Sequence, residues 1–362
     1  MNGYDLDKYL LPIWSGKKMH YETAMFVGEE SEITLLYEPS GKIELFNYGL
    51  EKTYVEGVDY VVEGRKVKRL KGSSLPYFPT EEYYLAEMGK YDIHAIKENC
   101  PDYIADRIYL SYGEADMFTS RQVAVSYTHN DAWKGEVPAD KTARFPRFLK
   151  KLSAGEKCTV LFYGDSITTG CNSSGMPTGG NVAPHADCFP MMITKCLEKT
   201  YGAKIEYINT AVGGWCSGSG LEAFDERVVN VESDLLILGF GMNDIHADNI
   251  ERFLKNTEEM ILRYRAKNPE SEIVLVSTML PNVETNWMSE KIGVDNFEKI
   301  LLELEKKYPF TAVANMTQMH RDILATGKRY RDMTGNDINH PNDFIARVYA
   351  QVILKTLVGK NA

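Results

Sequence analysis

Four short stretches of this sequence set reactive or hydrogen-bonding side chains where chemistry can use them. Gly164-Asp165-Ser166 brings a hydroxyl directly after the apolar run Val160–Tyr163. A serine at the carboxyl end of a strand faces the crevice where open α/β sheets bind ligands, and a following helix offers backbone N–H groups to a developing oxyanion. Asn209–Trp215 carries Gly213 and Gly214, which let the backbone approach a ligand closely. Gly239–Asp244 supplies Asn243, an amide donor that adds no charge. Finally, Asp337-Ile338-Asn339-His340-Pro341 puts an acid three residues before a histidine. Such a histidine can take the serine proton and return it to a leaving group, while a neighbouring carboxylate holds the imidazole in the useful tautomer. Together the four stretches supply a nucleophile, two kinds of oxyanion donor and a base with its acid.

Each stretch also has an ordinary structural reading. The glycine pair could be a turn, Asn243-Asp244 a helix cap, and His340 a helix-entry residue before Pro341. The joint pattern is what favours chemistry. His246, two residues after Asp244, competes with His340 as the base, whereas His20, His94, His129, His185 and His320 lack a comparable setting. Trp215 reads either as core or as an aromatic wall for a sugar or acyl group. No HExxH, CxxC, cysteine–histidine cluster or GxxxxGK[ST] occurs, and no convincing dinucleotide fingerprint, so neither a catalytic metal nor an organic cofactor is expected.

The elements that must position these residues fall into two halves. From Lys157 onward, apolar runs at Thr159–Tyr163, Ile205–Ile208, Leu235–Phe240, Ile273–Ser277 and Thr311–Ala314 alternate with longer amphipathic stretches. Near-continuous apolar runs fit parallel strands buried on both faces. Asn249–Lys267, Met288–Lys307 and Phe344–Leu357 read as the amphipathic helices between and after them. The implied fold is a doubly wound parallel sheet of about five strands. Before it, residues 19 to about 130 read as strands, notably Ile33–Tyr37, Lys42–Phe46, Arg107–Tyr112 and Gln122–Tyr127, with a hairpin in Asp59–Arg69 turning near Gly64. That pattern suggests a β-sandwich. Asp131–Pro146 reads as the linker, which divides the chain into residues 1–145 and 146–362.

The bulk numbers agree with two globular domains: 362 residues, 44% hydrophobic and 25% charged. A net charge of −10 argues against a nucleic-acid partner, which needs a basic face. No apolar run of about 18 residues suggests a membrane span, and the opening residues do not read as a signal peptide. Six irregularly spaced cysteines are then expected as thiols in the cytoplasm.

In order and context, the four stretches resemble the SGNH (GDSL-like) hydrolase family. Gly164-Asp165-Ser166-Ile167-Thr168 resembles its first block, Gly214 its second, Asn243 in Gly-x-Asn-Asp its third and Asp337-x-x-His340 its last, over about residues 157–358. The resemblance implies a three-layer α/β/α domain with Ser166, Asp337 and His340 as triad. It implies an oxyanion hole from the Ser166 and Gly214 backbone N–H groups and the Asn243 side chain. The family reaction is ester hydrolysis through an acyl-enzyme, without a cofactor. A preceding β-region is similar to the layout of some bacterial carbohydrate esterases, which join a jelly roll to an SGNH domain. Removal of acetyl from carbohydrate, with Trp215 lining the site, is the expectation. Lipid ester or thioester hydrolysis and a catalytically inactive sugar-binding role are the alternatives. Gly170–Asp187 departs from a simple strand–turn–helix and is expected to form a loop beside the site.

Overall fold

The computed structural model describes residues 4–88, 95–98, 100, 103–246, 250–269, 272–285 and 294–359. Strands of the first part are β1 (Lys18–Met25), β2 (Glu32–Thr34), β3 (Glu44–Asn47), β4 (Thr53–Tyr54), β5 (Tyr60–Glu63), β6 (Lys66–Arg69), β7 (Tyr84–Leu85), β8 (Tyr109–Leu110) and β9 (Gln122–Thr128). They pair antiparallel in sheets of order β1-β9-β3-β4, β2-β6-β5 and β7-β8. The β5–β6 hairpin turns through Gly64 at φ +59°, a left-handed conformation that costs glycine little. The strands expected at Ile33–Tyr37 and Arg107–Tyr112 are shorter, reduced to β2 and β8.

The second part supplies β10 (Cys158–Gly164), β11 (Ile205–Asn209), β12 (Leu235–Gly239), β13 (Glu272–Val276) and β14 (Thr311–Ala314). All are parallel, in the order β11-β10-β12-β13-β14. The order reverses between β10 and β12, so the carboxyl ends of those two strands flank the crevice of the sheet. Helices are α1 (Leu6–Leu10), α2 (Thr80–Tyr83), α3 (Pro146–Ser153), α4 (Ser166–Thr169), α5 (Phe189–Tyr201), α6 (Ser217–Glu222), α7 (Ile250–Lys267), α8 (Val294–Lys307), α9 (Met316–Ala325) and α10 (Asp343–Val358). Right-handed crossovers place α5 with α10 on one face, and α6, α7 and α8 on the other. The expected helix Met288–Lys307 begins at Val294; residues 288–293 lie outside the described residues. No described helix is long and apolar enough to cross a membrane.

One contrast with expectation concerns α10. An amphipathic helix keeps a polar face toward water, but α10 is buried nearly all round, including Asp343, Arg347 and Gln351. Its outer face is covered by the first part of the chain: Gln351 donates to the Tyr9 and Leu11 carbonyls and accepts from the Ile13 N–H. A single hydrophobic cluster consequently runs from Tyr9 through the parallel sheet to Leu357. The 131–146 segment is tied down along it: Lys141 N–H donates to the Thr356 carbonyl, Phe145 is buried, and Glu272 accepts from the Arg147 and Phe148 N–H groups opening α3. A smaller cluster of Met25, Phe78, Tyr83, Leu110 and Phe118 sits apart.

Candidate active site

Ser166 stands at the turn from β10 into α4. The chain crosses β12 so tightly there that a Cβ on Gly164 would lie 2.2 Å from the Gly239 carbonyl oxygen, a contact only glycine avoids. Asp165 caps the turn by accepting from the Ile167 N–H at 2.9 Å. Burial raises the Asp165 carboxyl to about 7, against the opposing pull of that N–H and of His340. Ser166 itself is mostly covered, at the base of a cleft of about 620 Å³.

Gly213, Gly214 and Asn243 line the same cleft. Gly214 holds φ +79°, and a Cβ on Gly213 would be in ordinary contact, 3.8 Å, with the Ser166 Cβ. Asn243 donates one amide N–H to the Trp215 carbonyl at 3.0 Å, leaving the second for the cleft it lines. Its neighbour Asp244 turns the other way and accepts from Ser217 N–H at the start of α6. Asn-Asp thus serves two directions, one polar tip in the cleft and one helix cap below it.

His340 Nε2 lies 2.9 Å from Ser166 Oγ. On the other side of the ring, Nδ1 lies 2.7 Å from Asn172 Oδ1 and 3.5 Å from Glu114 Oε2. Asn172 Nδ2 donates to the Gly335 carbonyl, which fixes the amide with its oxygen toward the ring. An amide oxygen only accepts, so Nδ1 carries the proton and Nε2 is left to accept from the serine hydroxyl. The His340 turn is organised by Asn336, whose Oδ1 accepts from the N–H groups of Ile338, Asn339 and His340 at 3.0–3.1 Å. Its amide nitrogen donates to Glu114 Oε1 at 3.2 Å and to Asn339 Oδ1 at 3.0 Å.

Asp337 is placed differently from the expected triad. At φ +64° its carboxylate points into the protein, where Oδ2 accepts from the Tyr83 hydroxyl at 2.8 Å and Oδ1 has no partner. Burial pushes its pKa well above the carboxylate range. The position beside Nδ1 is filled by Asn172 and faced by Glu114. Trp215 is also away from the cleft lining: its ring packs on the core beneath the Arg227 guanidinium, 5.0 Å from the ring centre. His320 is buried, accepts from Leu280 N–H, and is pushed by burial to about 3; His129 stacks on Tyr37. His94 and the side chain of His246 lie outside the described residues.

The loop Gly170–Asp187 is packed, with Asn172, Ser173 and Ser174 buried and Ser174 N–H donating to Asp343. It brings Asn172 to the imidazole, and Cys171, Pro177 and Thr178 to the cleft. Tyr112, Glu114 and Ala115 reach the cleft from the first part of the chain. None of these was marked as a site residue by the sequence motifs; for Asn172 the one signal was its place in an unusually long loop after the nucleophile. Among the described residues no group of three or more His, Cys, Asp or Glu is placed to hold a metal.

A family model described as GDSL-like lipase/acylhydrolase matches residues 162–348, more than half of the chain and the span that holds all four motifs. The chain belongs to the GDSL-like lipase/acylhydrolase family. No curated protein sequence matches this chain. A two-domain esterase active on acetylated mannans, co-crystallised with mannopentaose, resembles it at a TM-score of 0.50 and 23% identity, over 62% of this chain and 55% of that one. The chain therefore matches about half the length of that esterase, and the likeness is one of fold. An acetylxylan esterase from Geobacillus stearothermophilus matches at a TM-score of 0.47 and 15% identity, over 57% of this chain and 96% of that one.

Proposed function

We propose that this acylhydrolase removes small acyl groups, foremost acetyl, from carbohydrate, with Ser166 as nucleophile and His340 as base. The observation that carries the reading is the 2.9 Å contact from Ser166 Oγ to His340 Nε2, with the Asn172 amide oxygen 2.7 Å from Nδ1 favouring the tautomer whose Nε2 accepts. Ser166 Oγ attacks the ester carbonyl carbon as its proton passes to Nε2. The negative oxygen of the tetrahedral intermediate is met by the Asn243 amide with the Ser166 and Gly214 backbone N–H groups. Collapse breaks the carbon–oxygen bond to the alcohol, which leaves with the proton from His340. Water then attacks the acyl-enzyme with its proton taken by the same nitrogen, releasing the acid and restoring Ser166.

The substrate class rests on the solved neighbours, whose own names include acetylated mannans and acetylxylan. The same reading treats residues 1–145 as a β-rich unit and 146–362 as the hydrolase unit. Ser166→Ala should lower turnover of nitrophenyl acetate by about 10⁴–10⁶ and abolish labelling by a fluorophosphonate, with the fold intact. Retention of a tenth of wild-type turnover would refute the nucleophile. Mass detection across acetylated oligosaccharides tests the substrate. Rates that climb steadily from acetyl to octanoyl esters, with no release from acetylated sugar, would instead favour a lipid esterase.

A further inference from the structure

The imidazole of His340 needs two things from its Nδ1 side: an acceptor that fixes the tautomer, and a negative charge that stabilises the imidazolium formed during reaction. Asn172 meets the first need but is neutral. The carboxylate that faces Nδ1 belongs to Glu114, on the loop after β8, far from the Asp-x-x-His motif in sequence. Asp337, three residues before the histidine, gives its carboxylate to Tyr83. We propose that Glu114 and Asn172 together are the positioning residues of His340, so that the first part of the chain supplies the acid of the site. The inference rests on the ester-hydrolase reading above for its consequence in rate, but not for its geometry.

Glu114 is held for this task. Its Oε1 accepts from the Tyr112 hydroxyl at 2.6 Å and from the Asn336 amide at 3.2 Å, leaving Oε2 turned to the ring. Ala115, next in the chain, sits at φ +58°, a strained value for alanine, and Leu110 and Phe118 anchor the two sides of the loop in the small cluster. Burial works to raise the Glu114 carboxyl, but His340, Tyr112 and Asn336 outweigh it and hold it at about 2. Glu114 therefore stays charged through the working pH range. Asp337, whose carboxyl burial raises, has its Oδ2 taken by the Tyr83 hydroxyl and not by the ring. Asn336 links both parts of the device, because it shapes the histidine turn and holds Glu114.

Among the described residues, the titratable groups around the ring and cleft are Glu114 and Tyr112 from the loop after β8, Asp165 beside Ser166, Cys171 from the loop after α4, and Asp337 in its own turn. An opposite charge within about 4–6 Å moves a pKa by about 1–3 units, and Glu114 is partly exposed, which favours the low end. The test is a proton NMR titration of the His340 ring, its signal assigned by loss in His340→Gln, read beside kcat and KM on nitrophenyl acetate. In Glu114→Gln the midpoint should fall, and kcat should drop roughly tenfold or more, with KM little changed. Glu114→Gln combined with Asn172→Asp, which returns a carboxylate to Nδ1, should restore both. Asp337→Asn should shift the midpoint less than Glu114→Gln does. An unchanged midpoint in Glu114→Gln, or a larger shift in Asp337→Asn, overturns the proposal. The titration needs no substrate, so a wild-type protein inactive on esters but showing these shifts would sink the hydrolase reading and leave the positioning pair standing.

Discussion

Asn172 holds φ +63°, in the left-handed region that asparagine and glycine adopt at less cost than alanine. That backbone turn is what aims its amide oxygen at the imidazole. Asn172→Gly should therefore keep thermal stability near wild type while losing the acceptor. Asn172→Ala should lose the acceptor and about 1–2 kcal/mol of stability as well. Melting curves read beside kcat separate the two; equal stability losses would mean that the side chain, not the backbone, sets the fold at this position. Asn243→Ala should slow acylation by about 10²–10³ with KM little affected, because its free N–H faces charge present only in the transition state. A normal turnover per folded molecule would make it structural. That Ser166, Gly214, Asn243 and His340 would line one cleft was legible because each follows a strand or opens a helix within a few residues of a local signal. Asn172 and Glu114 were not, since no local pattern says which loop will face a ring 168 residues away or across a 3.5 Å gap to another part of the chain. Asp337 misled for the same reason: its direction depends on Tyr83, 254 residues earlier.

At the scale of elements, the second half was readable because parallel strands buried on both faces are apolar almost throughout, as in Val160–Tyr163 and Leu235–Leu238. The first half was harder. β1 (KMHYETAM) is buried over most of its length although it carries His20, Glu22 and Thr23, the last two of which find partners elsewhere in the chain. The character of α10 escaped likewise, because the sequence does not show what will cover its outer face. That cover has an energetic consequence at Asp343, the first residue of α10. Burial raises its carboxyl to about 6, against hydrogen bonds from Ser174 and Tyr48. A folded-state pKa above the unfolded value of about 3.9 means stability is greatest with the proton bound and declines as pH rises through about 6. The loss by pH 8 is roughly 2–4 kcal/mol from this group. Thermal melts should show stability falling from about pH 4 to about pH 6 and levelling above that, and Asp343→Asn should flatten the slope. A wild-type protein that gains stability over that range would contradict the account.

Over the whole molecule, the two parts are joined by buried polar contacts as well as by apolar packing. Lys328 pairs with Glu22 at 2.7 Å with neither side chain exposed, and Glu22 also accepts from the Leu36 N–H and the Tyr127 hydroxyl. Asp332 accepts from the Met25 N–H, and the Asn342 amide reaches Thr23 and Gln122. Breaking a buried pair strands a charge, so Lys328→Met should cost about 3–5 kcal/mol. Calorimetry of the wild-type chain should show one unfolding transition. Two separate transitions, or a proteolytic fragment lacking residues 1–145 that melts as the intact chain does, would show that the parts stand alone. These same contacts impose an order in time. Met25 meets Asp332 across 307 residues and Gln351 meets Tyr9 across 342. The first strand therefore waits for partners made more than 300 residues later. Contacts of such separation are slow to find, and until they form the chain holds β1 and the inner face of the first sheet open to water. Recovery of activity after dilution from denaturant should follow the slowest kinetic phase, and a nascent chain halted before residue 330 would have no working imidazole and no cover for its first sheet.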